Sequence, residues 1–493
     1  MAKINKSVNP CDNFYEFACG GYRDVGSPLH EMQNEINDWI EKLAMEPVTD
    51  KDDKLVKLMK IFYQSCKNNV GSLNDFIEDG IDLRRRIDPS AEHKHDFTWE
   101  EVIHDLQFYQ NSDAYLFSIR MEYFDDHVRL VVDQPTFETK AGFLDRNSCT
   151  TCLCKMKDKL DIAVAAVYAR HAVDETVKME IADIINATKS QLFDTFEAQD
   201  WLDSKTKEAA KKKLSAMKFY VGYPDMLLDE NFLSTYYKDL DTTERSLVEI
   251  YRQIHIHKCE VERKLLGDVS DLIKDLLFLK QTAGSIPQVN ALYTPYFNTF
   301  LICAGFIQSQ LFSIDRPKSM NYGILGAVVG HEIMHGYDNE GRKYDENGQR
   351  RNWWVKEDEI KFIEKSKCFV DQYGRYVEPK TGLNVNGQLT LGENIADNGG
   401  TLLAYKTYQK EHKIDTILPN VEFTPNQLFW ISKAHSYCSN YDYKYMETLI
   451  KSDSHAPGRF RVIGTLGNLK EFGDDFQCPV GSGMNRQNKC KIW

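Results

Sequence analysis

The chain contains the pentapeptide His331-Glu332-Ile333-Met334-His335. Residues four apart lie on one face of an α-helix, so both imidazoles can point at one metal ion while Glu332 stands beside it. The preceding segment, residues 326–330, is small and apolar, as expected for a buried helix, and Gly336 predicts where the helix ends. Without a third ligand, a solvated helix face of His and Glu remains the alternative.

A third ligand must come from outside the pentapeptide. A metzincin would have Gly at position 338 and His at position 341, but this chain has Asp338 and Gly341. A carboxylate is therefore expected, and Glu393 and Asp397 lie four residues apart, on one helical face. The glycine pair at residues 399–400 is expected to end that helix.

Two His and one Glu leave one coordination position open on a zinc ion. A water bound there falls in pKa from 15.7 to about 7 and becomes a nucleophile at neutral pH. Asp397 can orient a ligating imidazole through its second nitrogen. An Asp four residues after a Glu is more often a solvated pair, so this interpretation depends on the zinc motif.

Four short motifs occur in order along the chain: Asn290-Ala291-Leu292-Tyr293, the pentapeptide at 331–335, Glu393-Asn394-Ile395-Ala396-Asp397, and the ending Cys490-Lys491-Ile492-Trp493. With these motifs the chain resembles the neprilysin and endothelin-converting-enzyme family of zinc metallopeptidases. The resemblance begins at residues 9–21, continues through residues 201–225 and is densest over residues 286–493. It implies a mainly α (α+β), two-lobed zincin. A shortened helical N-terminal lobe is expected at residues 1–220 and a thermolysin-like catalytic domain at residues 221–493.

The resemblance also implies a role for each matching residue. His331, His335 and Glu393 are the expected ligands of one Zn²⁺ ion, and Glu332 is the expected general base. His455 is expected to stabilise the oxyanion, and Asp338 is expected to pair with His455. Arg461 is expected to bind a substrate carbonyl, and Asp397 to support the metal ligands. Asn290 and Ala291 are expected to bind an extended substrate. Without the resemblance, His455 would be interpreted as a surface histidine and Arg461 as a solvated charge.

The chain departs from the family pattern in its N-terminal lobe. Between residues 135 and 149, a large block of family helices that is expected to roof the active site is absent. Residues 26–37 contain no arginine that could bind the C-terminal carboxylate of a substrate. Cys303 stands where the family usually has proline.

The expected function is that of a zinc metalloendopeptidase that hydrolyses internal bonds of oligopeptides. Because the roof is shortened, two alternatives stay open. One is a catalytically impaired family member that binds peptides or a partner protein. The other is an incomplete product that does not fold stably.

Composition is that of an ordinary globular protein, with 493 residues of which 42% are hydrophobic and 27% charged. The 61 basic and 74 acidic residues give a net charge of −13, which argues against a nucleic-acid-binding surface. The basic run Lys205–Lys213 is expected to form a capped amphipathic helix whose charges are solvated.

An extracellular location is expected. No apolar run approaches the roughly 18 to 20 residues that span a bilayer, and residues 1–7 lack a signal-like apolar core. Members of the family that the chain resembles are usually secreted or anchored by an N-terminal helix, so an anchor upstream of Met1 is compatible with this expectation. Sequons at Asn5 and Asn186 are compatible with glycosylation.

The 12 cysteines permit either full pairing or a reduced state. The resemblance implies the disulfides Cys11–Cys478, Cys19–Cys438, Cys66–Cys152 and Cys368–Cys490, and it leaves Cys149, Cys154, Cys259 and Cys303 unassigned. The cluster at residues 149–154 is also compatible with a metal site, but no nearby His or second Cys pair supports one.

Hydrophobic periodicity predicts a mainly helical chain. Helices are predicted over residues 55–65, 159–197, 247–279, 357–372 and 424–436. Strands are predicted over residues 114–123 and 128–132 and near Asn290. Turn residues at 220–225 predict the boundary between the lobes.

Overall fold

The computed structural model describes residues 3–68, 118–124, 127–133, 151–240, 243, 247–265, 267–268, 270–412 and 415–493. Helices dominate this part of the chain, as predicted. In chain order they are α1 (Phe14–Cys19), α2 (Pro28–Met45), α3 (Lys54–Asn68), α4 (Cys152–Lys159), α5 (Asp161–Ala172), α6 (Glu175–Glu197), α7 (Ser204–Ala216), α8 (Glu230–Tyr236), α9 (Leu247–Leu265), α10 (Asp271–Thr282), α11 (Lys318–Asn321), α12 (Ala327–His335), α13 (Lys356–Gly374), α14 (Leu391–Glu411), α15 (Pro425–His435), α16 (Tyr443–Ser452), α17 (Gly458–Leu466) and α18 (Lys470–Asp475).

Two of the predicted helices are each divided into two, and a capping residue begins the second helix in both cases; in the second run, strand residues 267–268 also lie between the two helices. The run at residues 159–197 separates into α5 and α6, because the Asp174 side chain accepts hydrogen bonds from the N–H groups of Thr176 and Val177. The run at residues 247–279 separates into α9 and α10, where the Ser270 side chain accepts from the N–H of Ile273. Such caps satisfy the first N–H groups of a new helix, which hydrophobic periodicity alone does not reveal.

The strands form two small sheets among the described residues. They are β1 (Ser118–Phe124), β2 (His127–Asp133), β3 (Lys218–Gly222), β4 (Gly267–Asp268), β5 (Ala291–Thr294) and β6 (Thr299–Cys303). One sheet has the antiparallel order β1-β2-β4, and the other has the order β3-β6-β5, in which β3 is parallel and β5 antiparallel to β6. The three predicted strands are confirmed as β1, β2 and β5, except that residues 114–117 lie outside the described part of the chain.

The chain forms two compact units, and both are discontinuous in sequence. The first unit comprises Met1–Glu35, Ala172–Tyr223 and Gln288–Trp493, and the second comprises Ile36–His171 and Pro224–Pro287. The chain leaves the first unit and enters the second after Tyr223, close to the turn predicted at residues 220–225. The assignment of residues 1–220 and 221–493 to separate domains stays a prediction.

The second unit is helical around a small core. Residues 162–169 of α5 are buried along their whole length, as expected for a helix that is apolar on every side. The rings of Trp39 and His171 stack with their centroids 4.2 Å apart. The Cys66–Cys152 disulfide joins α3 to α4.

The four disulfides that the resemblance implied are confirmed. Cys11 pairs with Cys478 and Cys19 with Cys438, which tie the start of the first unit to its C-terminal part, while Cys368 pairs with Cys490. Of the unassigned cysteines, Cys154 takes part in a disulfide and Cys303 is a free, buried thiol. Cys149 and the side chain of Cys259 lie outside what the structure describes.

None of the helices in the described ranges combines the length and the apolar character that a bilayer-spanning segment needs.

The basic run forms α7, and its N-terminus is capped as predicted, because the Asp203 side chain accepts from the N–H of Lys205. Lys205 and Lys212 are exposed, in agreement with a solvated face. For Lys213 the prediction is wrong, because its side chain is buried with only 1% exposure. It shares the buried face of α7 with Thr206 and other residues one turn apart.

The glycine pair at residues 399–400 does not end a helix, contrary to the prediction, because α14 continues to Glu411. A Cβ atom on Gly400 would lie 2.3 Å from the backbone nitrogen of His331, and one on Gly330 would lie 2.3 Å from the carbonyl oxygen of Gly400. The two glycines therefore allow the backbones of α12 and α14 to touch.

We expect Gly400→Ala to lower the melting temperature and weaken metal binding, since its methyl group meets rigid backbone and the helices must separate. Overpacking of this kind costs about 1 to 3 kcal/mol or more. Gly399→Ala is the matched control, because its Cβ would meet the flexible end of Met334 at 3.0 Å. Thermal unfolding and metal titration of both variants test this, and equal losses in the two would contradict the role of the backbone contact.

Candidate metal centre and cleft

Three side chains from α12 and α14 converge on one point. The Nε2 atoms of His331 and His335 lie 3.0 Å apart. The Oε2 atom of Glu393 lies 3.1 Å from Nε2 of His331 and 3.6 Å from Nε2 of His335. Among the described residues, these three form a group whose ligand atoms all lie within 4.8 Å of one another. The structure therefore brings together the three residues that were expected to bind the metal ion.

The donor set fits a zinc-sized ion. Bonds of about 2.0 to 2.2 Å in a tetrahedral arrangement separate neighbouring ligand atoms by about 3.4 Å, which agrees with the spacing of the three atoms. Oε2 of Glu393 is buried and accepts no well-formed hydrogen bond from any residue that the structure describes. A buried carboxylate oxygen without a donor is costly unless a cation binds it. This group is consistent with a divalent metal site.

A carboxylate faces the second nitrogen of each imidazole. Nδ1 of His331 lies 3.0 Å from Oδ1 of Asp397, and Nδ1 of His335 lies 2.7 Å from Oδ2 of Asp338. Such carboxylates fix the tautomer and the orientation of a ligating imidazole. Nδ1 of His331 makes no well-formed hydrogen bond within the described residues, so the orienting role of Asp397 stays a prediction, which this close approach supports.

The expected contact between Asp338 and His455 is wrong. Asp338 lies three residues after His335 and contacts that ring instead, while its Oδ1 atom accepts hydrogen bonds from the N–H groups of Glu340 and Gly341. The partner of His455 is the nearby Asp453, whose Oδ1 lies 2.8 Å from Nδ1 of the imidazole. Each of the two acids thus contacts a histidine close to it in sequence, Asp338 in the turn after α12 and Asp453 just after α16.

Asp397 is fully buried and contacts two cationic side chains. Arg461 donates to it twice, from Nε to Oδ2 at 2.6 Å and from Nη2 to Oδ1 at 2.8 Å. The ammonium of Lys433, which is 1% exposed, lies 3.9 Å from Oδ1. Burial alone would raise the pKa of Asp397, but these two cations hold it well below its usual range.

Sequence analysis missed Lys433 because its position in α15 resembles that of many helix lysines. Its neighbours give a usable signal in the sequence, because Leu428-Phe429-Trp430-Ile431 is an uninterrupted apolar run, and the structure buries all of residues 428–434. A lysine inside such a segment has to find a buried partner. Its Nζ donates to the hydroxyl of Tyr437 at 3.1 Å.

A cavity of about 390 Å³ opens within the first unit, beside His331, His335 and Glu393, which are called the metal group below. Every sequence-predicted site residue except Asp397 lines it. These residues are Asn290, Ala291, His331, Glu332, His335, Asp338, Glu393, His455 and Arg461. Apolar side chains including Leu29, Phe306 and Val328 line other parts of the cavity. A cleft with a few polar groups and apolar walls is the usual form of a ligand site.

Glu332 and His455 differ in their electrostatic surroundings. Glu332 is buried, and burial raises the pKa of its carboxyl group. Burial alone would lower the pKa of His455, but its hydrogen bond with the Asp453 carboxylate raises it above the ordinary value. Nε2 of His455 lies 3.1 Å from Oε2 of Glu393, which places this imidazole at the edge of the metal group.

Two family models, both described as Peptidase family M13, match the chain over residues 290–492 and over residues 10–150 and 138–224. Together they cover most of its length. The chain belongs to peptidase family M13. The resemblance to neprilysin and endothelin-converting enzymes is thereby confirmed.

Curated relatives with these names match over about two thirds of the chain. Neprilysin-2 of Drosophila melanogaster is 36% identical over 340 residues, which are 68% of this chain and 43% of the relative. An endothelin-converting enzyme homolog of Locusta migratoria is 35% identical over 345 residues, or 69% of this chain and 46% of the relative. The M13 chain thus spans less than half the length of these relatives.

Solved structures show the same fold. The zinc metalloprotease Zmp1 of Mycobacterium tuberculosis, in complex with an inhibitor, has a TM-score of 0.79 at 17% identity, with 100% of this chain and 99% of that chain covered. A Haemonchus galactose containing glycoprotein complex has a TM-score of 0.70 at 20% identity, with 100% and 97% covered. The expected zincin fold class is confirmed.

We expect Asp338→Asn to weaken zinc binding about 10- to 100-fold, the usual effect of losing a carboxylate behind a ligating imidazole. The asparagine oxygen can keep the two backbone N–H bonds, so the loss is confined to the contact with His335. Asp453→Asn is the comparison, since it removes the partner of a histidine outside the ligand group and is expected to reduce turnover only. Competition with a chromogenic chelator measures both affinities, and unchanged affinity in Asp338→Asn would contradict the assignment.

Proposed function

We propose that this M13 chain is a zinc-dependent metalloendopeptidase that hydrolyses internal bonds of oligopeptides. The observation that carries the proposal is the convergence of His331, His335 and Glu393 beside the buried carboxyl of Glu332, at the wall of one cleft. The family membership of the chain supports the same chemistry.

His331, His335 and Glu393 are the proposed zinc ligands. A zinc ion, when bound, supplies a Lewis acid that polarises a carbonyl oxygen and lowers the pKa of water. Asp338 and Asp397 hold the two imidazoles with Nε2 toward the ion. Arg461 and Lys433 keep Asp397 ionised, so that it can accept from Nδ1 of His331.

Glu332 is the proposed general base. A base works best when its pKa approaches the working pH, and burial shifts the pKa of Glu332 in that direction. Its Oε2 atom is buried and has no hydrogen-bond partner among the described residues, so its acceptor capacity is not used by those groups. Glu332 takes a proton from the attacking water and delivers it to the departing amine.

His455 is proposed to donate to the oxygen that becomes negative when the peptide carbonyl is attacked. Asp453 fixes its ring through Nδ1, which leaves Nε2 facing the metal group. A donor aimed at developing charge typically contributes about 3 to 4 kcal/mol to the barrier. Arg461 also lines the cleft, and we propose that it binds a substrate carbonyl in addition to holding Asp397.

The substrate is proposed to bind as an added strand along β5. This strand pairs with β6 on one side and is the last strand of its sheet within the described residues. Its unpaired main-chain groups can hydrogen-bond an extended peptide, and the amide of Asn290 stands at its start. Phe306 and Val328 line the same cavity, so we propose that it accepts an apolar side chain.

The alternative function is that of an impaired family member that binds peptides without cleaving them. The block of family helices that is missing between residues 135 and 149 of the sequence favours this alternative. Both functions predict peptide binding in the cleft, but only the first predicts metal-dependent cleavage.

An extracellular location is part of the proposal. Disulfides persist mainly in oxidising compartments, and several are formed here.

We expect Glu332→Gln to lower kcat by about 10² to 10⁴, the usual contribution of a general base, while zinc content stays at the wild-type value. Glu357→Gln, at an exposed position of α13, is the control and should be fully active. Cleavage of quenched fluorescent peptides of graded length, with and without a chelator, measures the effect. Substantial activity in Glu332→Gln would overturn its role as base, and zinc-loaded wild-type protein that binds these peptides but cleaves none would overturn the proposed activity in favour of the alternative.

A further inference from the structure

Lys213 is a buried cation that the metal site and the cleft do not use directly. It lies in the last turn of α7, where Thr206, Ala210 and Leu214 are also buried. Its side chain is 1% exposed, whereas that of Lys212, its neighbour in sequence, is 68% exposed and contacts Glu346. Burying an ammonium group costs free energy unless every proton finds an acceptor.

Each proton of the Lys213 ammonium has a main-chain acceptor. Nζ donates to the carbonyl oxygens of Gly336 at 2.7 Å, Gly341 at 2.7 Å and Tyr344 at 2.8 Å. These three carbonyls belong to the segment that follows α12, and a lysine has three donors to offer. One side chain thus fixes both ends and the middle of residues 336–344.

This segment begins at the end of the helix that carries both histidines. The carbonyls of a final helical turn have no partner within the helix, and a cation placed there satisfies them and opposes the negative end of the helix dipole. Gly336 directly follows His335. Gly341 folds back so closely that a Cβ there would lie 1.7 Å from the carbonyl oxygen of His335.

The same segment also places the carboxylate behind His335. The N–H groups of Glu340 and Gly341 both donate to Oδ1 of Asp338 at 2.7 Å, and Oδ2 of Asp338 lies 2.7 Å from Nδ1 of His335. Gly341 therefore links the two contacts, because its carbonyl accepts from Lys213 and its N–H donates to Asp338. A shift of this residue would move the acid that orients the imidazole.

We propose that Lys213 is a positioning residue for the metal centre, which sets the orientation of His335 through Gly341 and Asp338. This inference rests on the proposed function, since it assigns His335 as a zinc ligand. It differs from a purely structural role, in which Lys213 would only anchor α7. A structural role also has support, because the carbonyl oxygen of Lys213 accepts a hydrogen bond from the Asn298 side chain at 3.0 Å. The experiment must therefore distinguish positioning of His335 from anchoring of α7.

Burial and neighbouring carboxylates act in opposite directions on the charge of Lys213. Burial lowers the pKa of Lys213 to about 7, while the carboxylates of Asp338, Asp345 and Glu346 act in the opposite direction. Methionine has a similar length and would fill the same space with no polar atom to satisfy. Methionine at this position would, however, leave the carbonyl oxygens of Gly336, Gly341 and Tyr344 without this donor.

The test compares Lys213→Met with Lys212→Met in the full chain. We expect Lys213→Met to reduce zinc affinity about tenfold or more, the scale of other losses behind ligating histidines. Its cobalt(II)-loaded form should show altered visible absorption bands, which report the arrangement of ligands. Lys212→Met should keep both the affinity and the spectrum of the wild type.

A double-mutant cycle with Asp338→Asn separates positioning from general destabilisation. If Lys213 acts through Asp338, Lys213→Met should have little further effect on zinc affinity in the Asp338→Asn background. Losses that multiply, or wild-type affinity and spectrum in Lys213→Met, would overturn the proposal.

Two further results are distinguishable from these. If Lys213→Met does not fold, the cycle is measured with Lys213→Gln, which keeps two amide donors, and the same two outcomes apply. If the wild type itself binds neither zinc nor cobalt, the proposed function fails, and the positioning role fails with it.

Discussion

The direct contact between the backbones of α12 and α14 is the constraint on which the metal group depends. Packed helices usually lie 8 to 10 Å apart because side chains separate them. Here Gly330 and Gly400 face each other without side chains, and a Cβ on either would lie 2.3 Å from the opposite backbone. Glu393, two turns before Gly400, is thereby brought into ligand distance of the two imidazoles. The close packing of the two helices thus positions the Glu393 carboxylate beside the two imidazoles.

Paired charges make this buried site physically possible. Asp397 is completely buried and would be costly there without Arg461 and Lys433, which surround it with positive charge. Asp338 is stabilised differently, by two backbone N–H groups and the imidazole of His335. One histidine is thus held by a network of side chains and the other by the backbone of a turn. The disulfides and the aromatic core hold the surrounding elements in place.

Local patterns were readable from the sequence, and tertiary pairings were not. Helical spacing correctly placed His331 with His335 and Glu393 with Asp397, because both pairs depend on one element each. The partner of Asp338 was wrong, since it depends on how the turn after α12 folds. The glycines at 399–400 were interpreted through local turn chemistry, although their role is to meet another helix. Lys213 was predicted to be solvated because it belongs to a run of charged residues, although its position places it on the buried face of α7.

The group formed by His331, His335 and Glu393 and the cleft beside it both belong to the first unit. Residues 288–493 supply His331, His335 and Glu393, strand β5 and most of the cleft wall, and the same unit contributes Leu29 and Lys213. The geometry of the His331, His335 and Glu393 group therefore depends on contacts within that unit. Access of large or small peptides is a separate property, since it depends on what covers the cleft. A chain can hence retain the zinc chemistry of its family while differing from it in the substrates that it admits.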